Sequence, residues 1–261
     1  QEPYVEQLPM AFIQKVMRLA REDGARLTVV FFDDIGPAAG ATQAALGQFI
    51  QAREFAGQAV PPNVRFVIAT NRRKDKSGVG GVLAMLCNRV RTYGVRLPVD
   101  DWAEWAHAQQ LPPKLISYVR FKPDCLGDPE KMANADFEPF CSARTLEMVG
   151  RDILVGIERH STFAATVGAS RATEICAFFD AWGQIDDPRE ILAHPETARV
   201  PKRDRPDLLY ATVGALAAHV TTKTVGALCK YVARLPKEFE VACMKDAMAQ
   251  TPDLRQAKPF K

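Results

Sequence analysis

The chain has 261 residues, of which 47% are hydrophobic and 25% charged, and these proportions are ordinary for a globular protein with a sizeable core. Its formal net charge of +3 excludes the strongly basic balance of a dedicated nucleic-acid-binding domain, so we do not expect a nucleic-acid partner. No apolar run approaches the roughly 20 residues that a bilayer-spanning helix needs, and the first residues do not resemble a signal peptide. These features favour a cytoplasmic protein without a membrane partner.

The first part of the chain alternates helical patterns with continuous apolar runs. Phe12, Val16 and Leu19 are spaced as the apolar stripe of a helix over residues 10–22. The first predicted strand, Leu27–Phe32, is apolar at successive positions, which is typical of a strand covered on both faces.

The same alternation then repeats. A helix is predicted over Gln43–Phe55, followed by a strand over Val64–Thr70 that ends at Asn71. A short helix over residues 81–90 and a third strand candidate over residues 93–99 complete the pattern. Helices that alternate with buried strands are typical of an α/β fold with a parallel sheet.

The pattern changes near Asp100, where an acidic helix start precedes Trp102 and Trp105 at helical spacing. We interpret the two tryptophans as helical core rather than as a platform for a ligand. No strand signal returns, so we predict an α/β domain over residues 1–98 and an all-helical region over residues 99–261. Further helices are predicted over residues 112–120, 142–157, 170–183, 206–220, 222–234 and 236–250.

The cysteines show no pattern of a metal or disulfide site. There is no Cys-x-x-Cys pair and no histidine at zinc-ligand spacing. We therefore predict reduced thiols, most of them packed as small apolar side chains. The six are Cys87, Cys125, Cys141, Cys176, Cys229 and Cys243.

Polar side chains follow two of the predicted strands at the point where each strand ends. Asp33 and Asp34 come directly after the first strand, and Asn71 comes directly after the second. Ligands of parallel sheets bind beyond the carboxyl ends of the strands, and an apolar strand that ends in Asp is typical of a site for Mg²⁺ beside phosphates. The alternative is that Asp33 and Asp34 only cap a helix and form a turn.

Four segments with moderate individual signals occur in a consistent order. They are "VVFFDDIG", "NVRFVIATNR", "GVGGVLAMLCNRV" and "FCSARTLEMV", and the later stretch "WGQIDDPREILAHPETARVP" follows them. In this order the chain resembles the AAA+ ATPases and, within them, the bacterial MoxR-like family. The first two segments then correspond to Walker B and sensor 1, the third to the arginine-finger helix, and the fourth to the start of the sensor-2 helix. The resemblance implies a partial AAA+ parallel-sheet nucleotide-binding domain followed by an all-helical lid and a C-terminal helical region.

The resemblance also implies roles for the residues at the strand ends. Asp33 would hold Mg²⁺, Asp34 would orient and polarise the attacking water, and Asn71 would help to position that water near the γ-phosphate of ATP. The family more often has Glu where this chain has Asp34, and the shorter side chain loses about 1.5 Å of reach. Asn71 could instead be a turn residue at the end of its strand.

Two arginines have roles on the same basis. Arg89 would act as an arginine finger in the site of a neighbouring subunit, where it would stabilise charge on the transferred phosphoryl group. Arg91 is the competing candidate, and Arg89 could also be an ordinary surface residue. Arg144 would contact the γ-phosphate in its own subunit. A solvent-facing role is the alternative, although a cation at a helix N-terminus opposes the helix dipole and a bound phosphate would account for it.

The phosphate-binding loop of such an enzyme, Gly-x-x-x-x-Gly-Lys-Ser/Thr, is missing from the chain. No Gly-Lys pair occurs, and "GVGG" at residues 78–81 lacks the lysine. In the family this loop lies upstream of Walker B, where the chain has only residues 1–26. We therefore expect Mg²⁺-dependent ATP hydrolysis in a longer parent protein, and an inactive chain when these 261 residues stand alone.

The resemblance implies a homo-oligomeric ring, expected to be a hexamer, that uses ATP hydrolysis to remodel or activate a protein in a chaperone-like manner. For the MoxR-like family that partner would be a von Willebrand A-domain protein. The alternative is an inactive AAA+-derived scaffold or interaction module. A weaker option is a DNA-linked activity through the basic loop of Arg72, Arg73, Lys74 and Lys76, which we interpret instead as a solvated charged loop.

Overall fold

A computed structural model of the chain is rich in α-helix and carries a small parallel sheet, an arrangement compatible with the predicted α/β fold. The chain divides into two compact units, Gln1–Val95 and Arg96–Lys261, and each is described by itself. No described helix is both long and apolar enough to cross a membrane. The structure describes residues 11–55, 57–71, 84–127 and 139–256.

The first unit follows the predicted alternation of helix and strand up to residue 71. Its elements are α1 (Ala11–Glu22), β1 (Thr28–Phe32), α2 (Gly40–Ala52), β2 (Glu54–Phe55), β3 (Gln58–Ala59), β4 (Val64–Ile68) and α3 (Ala84–Cys87). The two-residue strands β2 and β3 form a hairpin between α2 and β4 that was not predicted.

Strands β1 and β4 pair in parallel, with Thr28 opposite Val64 at one end and Phe32 opposite Ile68 at the other. In-register residues of a parallel pair share a face of the sheet. Every residue of β1 therefore has a partner in β4, and both strands end at the same level. The predicted parallel pairing of these two strands is confirmed.

The prediction that β1 is covered on both faces is wrong for the described residues. Val30 packs with α1 and Phe49 on one face, whereas Val29, Phe31 and Val67 on the other face are 53%, 54% and 46% exposed. The apolar run of β1 therefore supplies one buried face and one open apolar face.

The apolar stripe predicted for α1 is also wrong by one position. The buried residues are Ile13, Met17 and Ala20, and the predicted Phe12 and Leu19 are largely exposed. Both sets have the spacing i, i+4, i+7, so periodicity alone does not distinguish them.

Residues 93–99 do not form the third predicted strand. Tyr93, Val95 and Leu97 are exposed in an irregular segment, and Pro98 is the N-cap of the next helix. A strand requires a neighbour for its backbone groups, and among the described residues β1 and β4 pair only with each other.

The second unit is helical throughout its described residues, as predicted, and each predicted helix is present with shifted ends. Its elements are α4 (Val99–Ala108), α5 (Pro113–Phe121), α6 (Ala143–Leu154), α7 (His160–Val167), α8 (Ala169–Trp182), α9 (Pro188–Ala193), α10 (Pro206–His219), α11 (Val225–Val232) and α12 (Lys237–Gln250), with 3₁₀ turns at Pro123–Leu126 and Pro252–Gln256. Two of these helices, α7 and α9, were not predicted.

Two apolar clusters form the core of this unit. One surrounds Tyr118 and Phe178 between α4, α5, α6 and α8, and the other surrounds Leu216 and Tyr231 between α10, α11 and α12. Trp102 is buried in the first cluster, which confirms it as core, whereas its neighbour Trp105 is partly exposed.

A buried ionic network links α4, α5 and α12. Arg120 donates from Nε and Nη2 to the two carboxylate oxygens of Asp246, both at 2.7 Å, and His107 Nε2 lies 3.1 Å from Asp246 Oδ1. Arg120 also donates to Asp100 at 2.7 Å. Burial alone would lower the pKa of Arg120, but the hydrogen bonds to Asp246 and Asp100 outweigh it and raise that pKa.

Glycine at position 214 allows α10 to approach α5 closely, because an added Cβ would lie 1.7 Å from Ser117 Oγ.

Candidate functional site

The backbone ladder between β1 and β4 continues past both strands. Ala69 N donates to Phe32 O at 2.9 Å, and Ile35 N donates to Ala69 O at 3.3 Å. These bonds hold the two chain segments together just where the predicted site residues occur. Asp33 and Asp34 therefore leave β1 at the same edge from which Asn71 follows β4.

The three side chains at this edge are available to a ligand. Asp33, Asp34 and Asn71 are exposed, and among the described residues none of their side chains forms a hydrogen bond or an ion pair. A helix-capping role for the carboxylates is not observed, because the N-cap of α2 is Ala39 and has no side-chain capping bond.

Asp34 has an unusual backbone conformation, with φ at 50°. Aspartate tolerates this left-handed region better than most residues, since its short polar side chain interacts with nearby backbone groups. Backbone outliers of this kind cluster at functional sites, so the conformation is consistent with a functional role for Asp34.

The loop that follows the two aspartates is fixed from inside the unit by Gln43. This residue is buried on α2, and its Nε2 donates to Ala38 O at 3.0 Å and to Gly36 O at 3.4 Å. Ile35 is buried beside them. The sequence analysis missed Gln43, although a polar residue within an apolar helical face was a signal for such an anchor.

Asn63 fixes the opposite end of the strand pair. Its Nδ2 donates to Ala20 O at 2.9 Å and to Arg26 O at 2.8 Å, which ties the end of α1 and the start of β1 to the residue before β4. Thr28 N in turn donates to Asn63 O at 3.0 Å. This anchor sets the register of β1 against β4, and the sequence analysis did not identify it.

Arg89 lies against a helix of its own chain. Its Nε donates to Gln51 Oε1 at 2.5 Å and its Nη1 donates to Met85 O at 3.2 Å. The guanidinium also lies beside Gly47, where an added Cβ would be 3.0 Å from Nη1. The competing candidate, Arg91, is exposed and has no hydrogen bond or ion pair among the described residues.

Arg144 lies in the first turn of α6, in the second unit. Ser142 caps this helix, because Thr145 N donates to Ser142 Oγ at 3.2 Å and Ser142 N donates to Thr145 Oγ1 at 2.8 Å. Arg144 itself is exposed, and within the described ranges it has no partner. Neutral side chains therefore cap the predicted helix start, and Arg144 beside them has no ion-pair partner in the described part of the chain.

The donor set at the sheet edge fits Mg²⁺. Carboxylate and amide oxygens are hard ligands, and proteins usually hold Mg²⁺ by one or two carboxylates together with water and phosphate. In the part of the chain that the structure describes, no cluster of three or more His, Cys, Asp or Glu residues could form an all-protein metal cage. Asp33 and Asp34 would hold such an ion only together with other oxygen ligands.

Two features of the sequence lie outside the described residues. They are the basic residues Arg72, Arg73, Lys74 and Lys76, and the Gly-rich stretch at residues 78–81.

Comparison with protein-family models, with curated proteins and with solved structures finds no match for this chain.

Proposed function

We propose that the sheet edge of Asp33, Asp34 and Asn71 binds Mg²⁺ and ATP as part of an AAA+ ATPase module of the MoxR-like type. The observation that supports this most strongly is the in-register parallel pairing of β1 with β4, which brings the three residues to one edge. Their side chains are exposed and have no partner among the described residues, which is consistent with a ligand site. A chain that used them only for local structure would pair them with its own backbone.

Each of the three residues has a role in this proposal. Asp33 holds Mg²⁺, which when bound neutralises charge on the phosphates. Asp34 orients and polarises the attacking water, and Asn71 helps to position that water near the γ-phosphate. Gln43 holds the loop that follows Asp34, and Asn63 holds the opposite end of the strand pair, which supports a rigid edge of the kind that catalysis requires.

The two arginines complete the proposed site from other parts of a ring, expected to be a hexamer. Arg89 acts on the nucleotide of the neighbouring subunit, and to do so it exchanges its bond to Gln51 for one to the phosphate. Arg144 would contact the γ-phosphate of ATP, the role that the resemblance implies. Hydrolysis then drives the remodelling of a protein partner, with a von Willebrand A-domain protein as the expected type.

The phosphate-binding Gly-Lys pair does not occur in these 261 residues. The proposal therefore requires that loop to come from sequence outside them. The same absence favours a second candidate function, a scaffold that keeps the AAA+ core for assembly without hydrolysis.

Mg²⁺-dependent ATP hydrolysis distinguishes the two candidates. We would assay this chain and the gene product extended upstream through any Gly-x-x-x-x-Gly-Lys loop. We expect turnover only in the extended protein, with losses of at least about 100-fold in Asp34→Asn and in Arg89→Ala. Asp23→Asn and Arg18→Ala, which alter exposed residues away from the edge, are matched controls and should keep full activity. An extended protein without a phosphate-binding loop, or without turnover, would favour the scaffold.

A further inference from the structure

A cavity of about 400 Å³ lies within the helical unit, between the start of α10 and the loops before and after α9. Leu208 and Thr212 line it from α10, where residues four apart share one face of the helix. Ile191 of α9 and Tyr231 of α11 belong to the same wall. The volume is within the range of about 300–1,000 Å³ that is usual for small-molecule pockets.

Thr212 is a buried polar residue in this wall. It is only 2% exposed, and its hydroxyl forms no hydrogen bond among the described residues, whereas Thr166 and Thr173 each donate to the carbonyl four residues earlier. Within the described ranges, Trp102 Nε1 is the buried side-chain polar atom with neither a partner nor contact with solvent, so Thr212 Oγ1 reaches the space of the cavity. Buried polar groups nearly always have a partner, and for this hydroxyl the partner comes from the cavity, as water or as a ligand.

The wall after α9 is held in place from α11. Tyr231 Oη donates to Arg199 O at 2.8 Å, so its polar tip is paired and its ring forms an apolar part of the cavity. Arg234, near the end of α11, donates to Pro195 O at 2.6 Å and to Ala198 O at 2.8 Å. The cavity is therefore preformed, as ligand pockets usually are.

Three cations line the cavity, and two of them are unpaired. Arg205 donates from Nε and Nη2 to Asp207 at 3.0 Å and 2.6 Å, so its charge is already balanced. Arg199 and Lys202 are exposed, and among the described residues their side chains form no hydrogen bond or ion pair. The start of α10 lies on this side, where the helix dipole also favours an anionic group.

Two carboxylates line the same cavity. Asp186 and Asp204 are exposed, and in the described part of the chain neither forms a side-chain hydrogen bond or an ion pair. Two unpaired anions therefore face the same space as two unpaired cations. A ligand with a single charge would complement only one of these sets, whereas a ligand with both charges complements both.

We propose that this cavity binds a small zwitterion with an apolar body, of which an α-amino acid with a large apolar side chain is the simplest example. The ligand carboxylate lies against Arg199 and Lys202, and the ligand ammonium lies against Asp186. The Thr212 hydroxyl donates to a ligand oxygen. The apolar body packs on Leu208 and Tyr231. This site lies within the helical unit and does not depend on nucleotide binding at the sheet edge.

The test uses isothermal titration calorimetry of the 261-residue chain without nucleotide. Three probes share one indole body: L-tryptophan, tryptamine, which lacks the carboxylate, and indole-3-propionate, which lacks the ammonium. We expect L-tryptophan to bind with a Kd of about 1 mM or below, and each singly charged analogue to bind at least about tenfold more weakly. L-Leucine, a second zwitterion with an apolar body, should also bind.

Variants of the charged residues separate the two ends of the ligand. Asp186→Asn should weaken L-tryptophan about tenfold and leave indole-3-propionate unchanged, because that analogue has no ammonium. Lys202→Gln should weaken both of these probes. Lys223→Gln, at an exposed lysine outside the cavity, is the matched control and should bind as the unmodified chain does.

Thr212→Val distinguishes a ligand-binding hydroxyl from a structural one. The substitution keeps the shape of the side chain and removes an unpaired polar group, so the thermal midpoint should be unchanged or higher. The Kd of L-tryptophan should nevertheless rise about fivefold. Thr222→Val, at an exposed threonine, should change neither quantity.

Four results would overturn the proposal. They are a folded chain that binds neither L-tryptophan nor L-leucine, singly charged analogues that bind as tightly as L-tryptophan, binding that Thr212→Val and Asp186→Asn leave unchanged, and a lower thermal midpoint in Thr212→Val. The last would mean that the Thr212 hydroxyl has its partner within the protein. Circular dichroism spectra of each variant would establish that it is folded.

Discussion

The two units of this chain bury their apolar residues to different degrees. The helical unit encloses Tyr118 and Tyr231 completely within two clusters, while the β1–β4 pair of the first unit leaves Val29, Phe31 and Val67 about half exposed. Parallel sheets normally have both faces covered. An apolar strand pattern therefore predicts which residues a strand can bury. The helices and strands that pack against it determine how many of those residues are buried.

The two units also place their charges differently. In the helical unit, Asp246 is buried and paired with Arg120 and His107, so its charge serves the structure. In the first unit, Asp33 and Asp34 are exposed and unpaired among the described residues, so their charges remain available to a ligand. Removing a carboxylate should therefore cost stability in one unit and binding in the other.

The largest expected effect is at Asp246. Asp246→Ala leaves Arg120 buried without its main partner, and we expect the free energy of unfolding to fall by about 3–5 kcal/mol. Chemical denaturation followed by circular dichroism measures it, and Asp253→Asn, at an exposed carboxylate, should change stability by less than about 0.5 kcal/mol. Equal effects of the two substitutions would contradict a structural role for the buried Asp246 carboxylate.

The next-largest expected change in the free energy of unfolding comes from the packing of the helical unit. Gly214→Ala forces a methyl group against Ser117 where α10 crosses α5, and we expect a loss of about 1–3 kcal/mol. Gly226→Ala meets nothing within 4 Å in α11 and should stabilise the unit by about 0.5 kcal/mol. The thermal midpoints of the two variants should shift in opposite directions, and a shift in the same direction would show that the contact at position 214 is not tight.

The open face of the sheet predicts a smaller contrast between neighbouring residues. Val30→Thr places a hydroxyl in the buried face and should cost about 1–2 kcal/mol, whereas Val29→Thr on the open face should stay within about 0.5 kcal/mol. Amide hydrogen exchange of β1 measures the stability of this unit separately. Similar losses at both positions would mean that the second face is covered in solution.

The smallest expected effect is the contribution of Asp100 to the pH dependence of stability. Hydrogen bonds from Arg120 and Lys245 hold the pKa of this carboxyl below its usual value. Its stabilising contribution is therefore complete above the unfolded-state pKa of about 3.9 and is lost as the pH falls towards the folded-state pKa. Asp100→Asn should lower stability at neutral pH and flatten its acid dependence below about pH 4. An unchanged slope in that range would contradict the assignment.

The sequence predicted much of the local structure because apolar spacing and strand-end residues carry it directly. The β1–β4 pair and its edge of Asp33, Asp34 and Asn71 follow from two apolar runs that each end in polar residues. The sequence did not predict which face of α1 is buried, because two apolar stripes that are offset by one residue have the same helical spacing. The segment 93–99 was misassigned because a strand pattern does not reveal whether a partner strand exists.

Contacts between distant residues could not be predicted from the sequence. The pairing of Arg120 with Asp246 depends on how the helices pack. The sequence spacing of this pair does not distinguish it from other charged residues. The backbone carbonyls that accept from Gln43 and Asn63 have no sequence signature either, although a polar residue within an apolar helical face marked Gln43 itself.

The most direct measurement of the central claim is metal-directed cleavage of the backbone. Fe²⁺ would replace Mg²⁺ together with ATP in the extended gene product, and ascorbate with peroxide would generate radicals that cut the chain near the metal. We predict ATP-dependent cuts around residues 33–36 and 69–71, suppressed by excess Mg²⁺ and lost in Asp33→Asn but retained in Asp23→Asn. Cuts confined to other segments, or a pattern unchanged by Asp33→Asn, would contradict the proposal that this sheet edge holds the metal and its nucleotide.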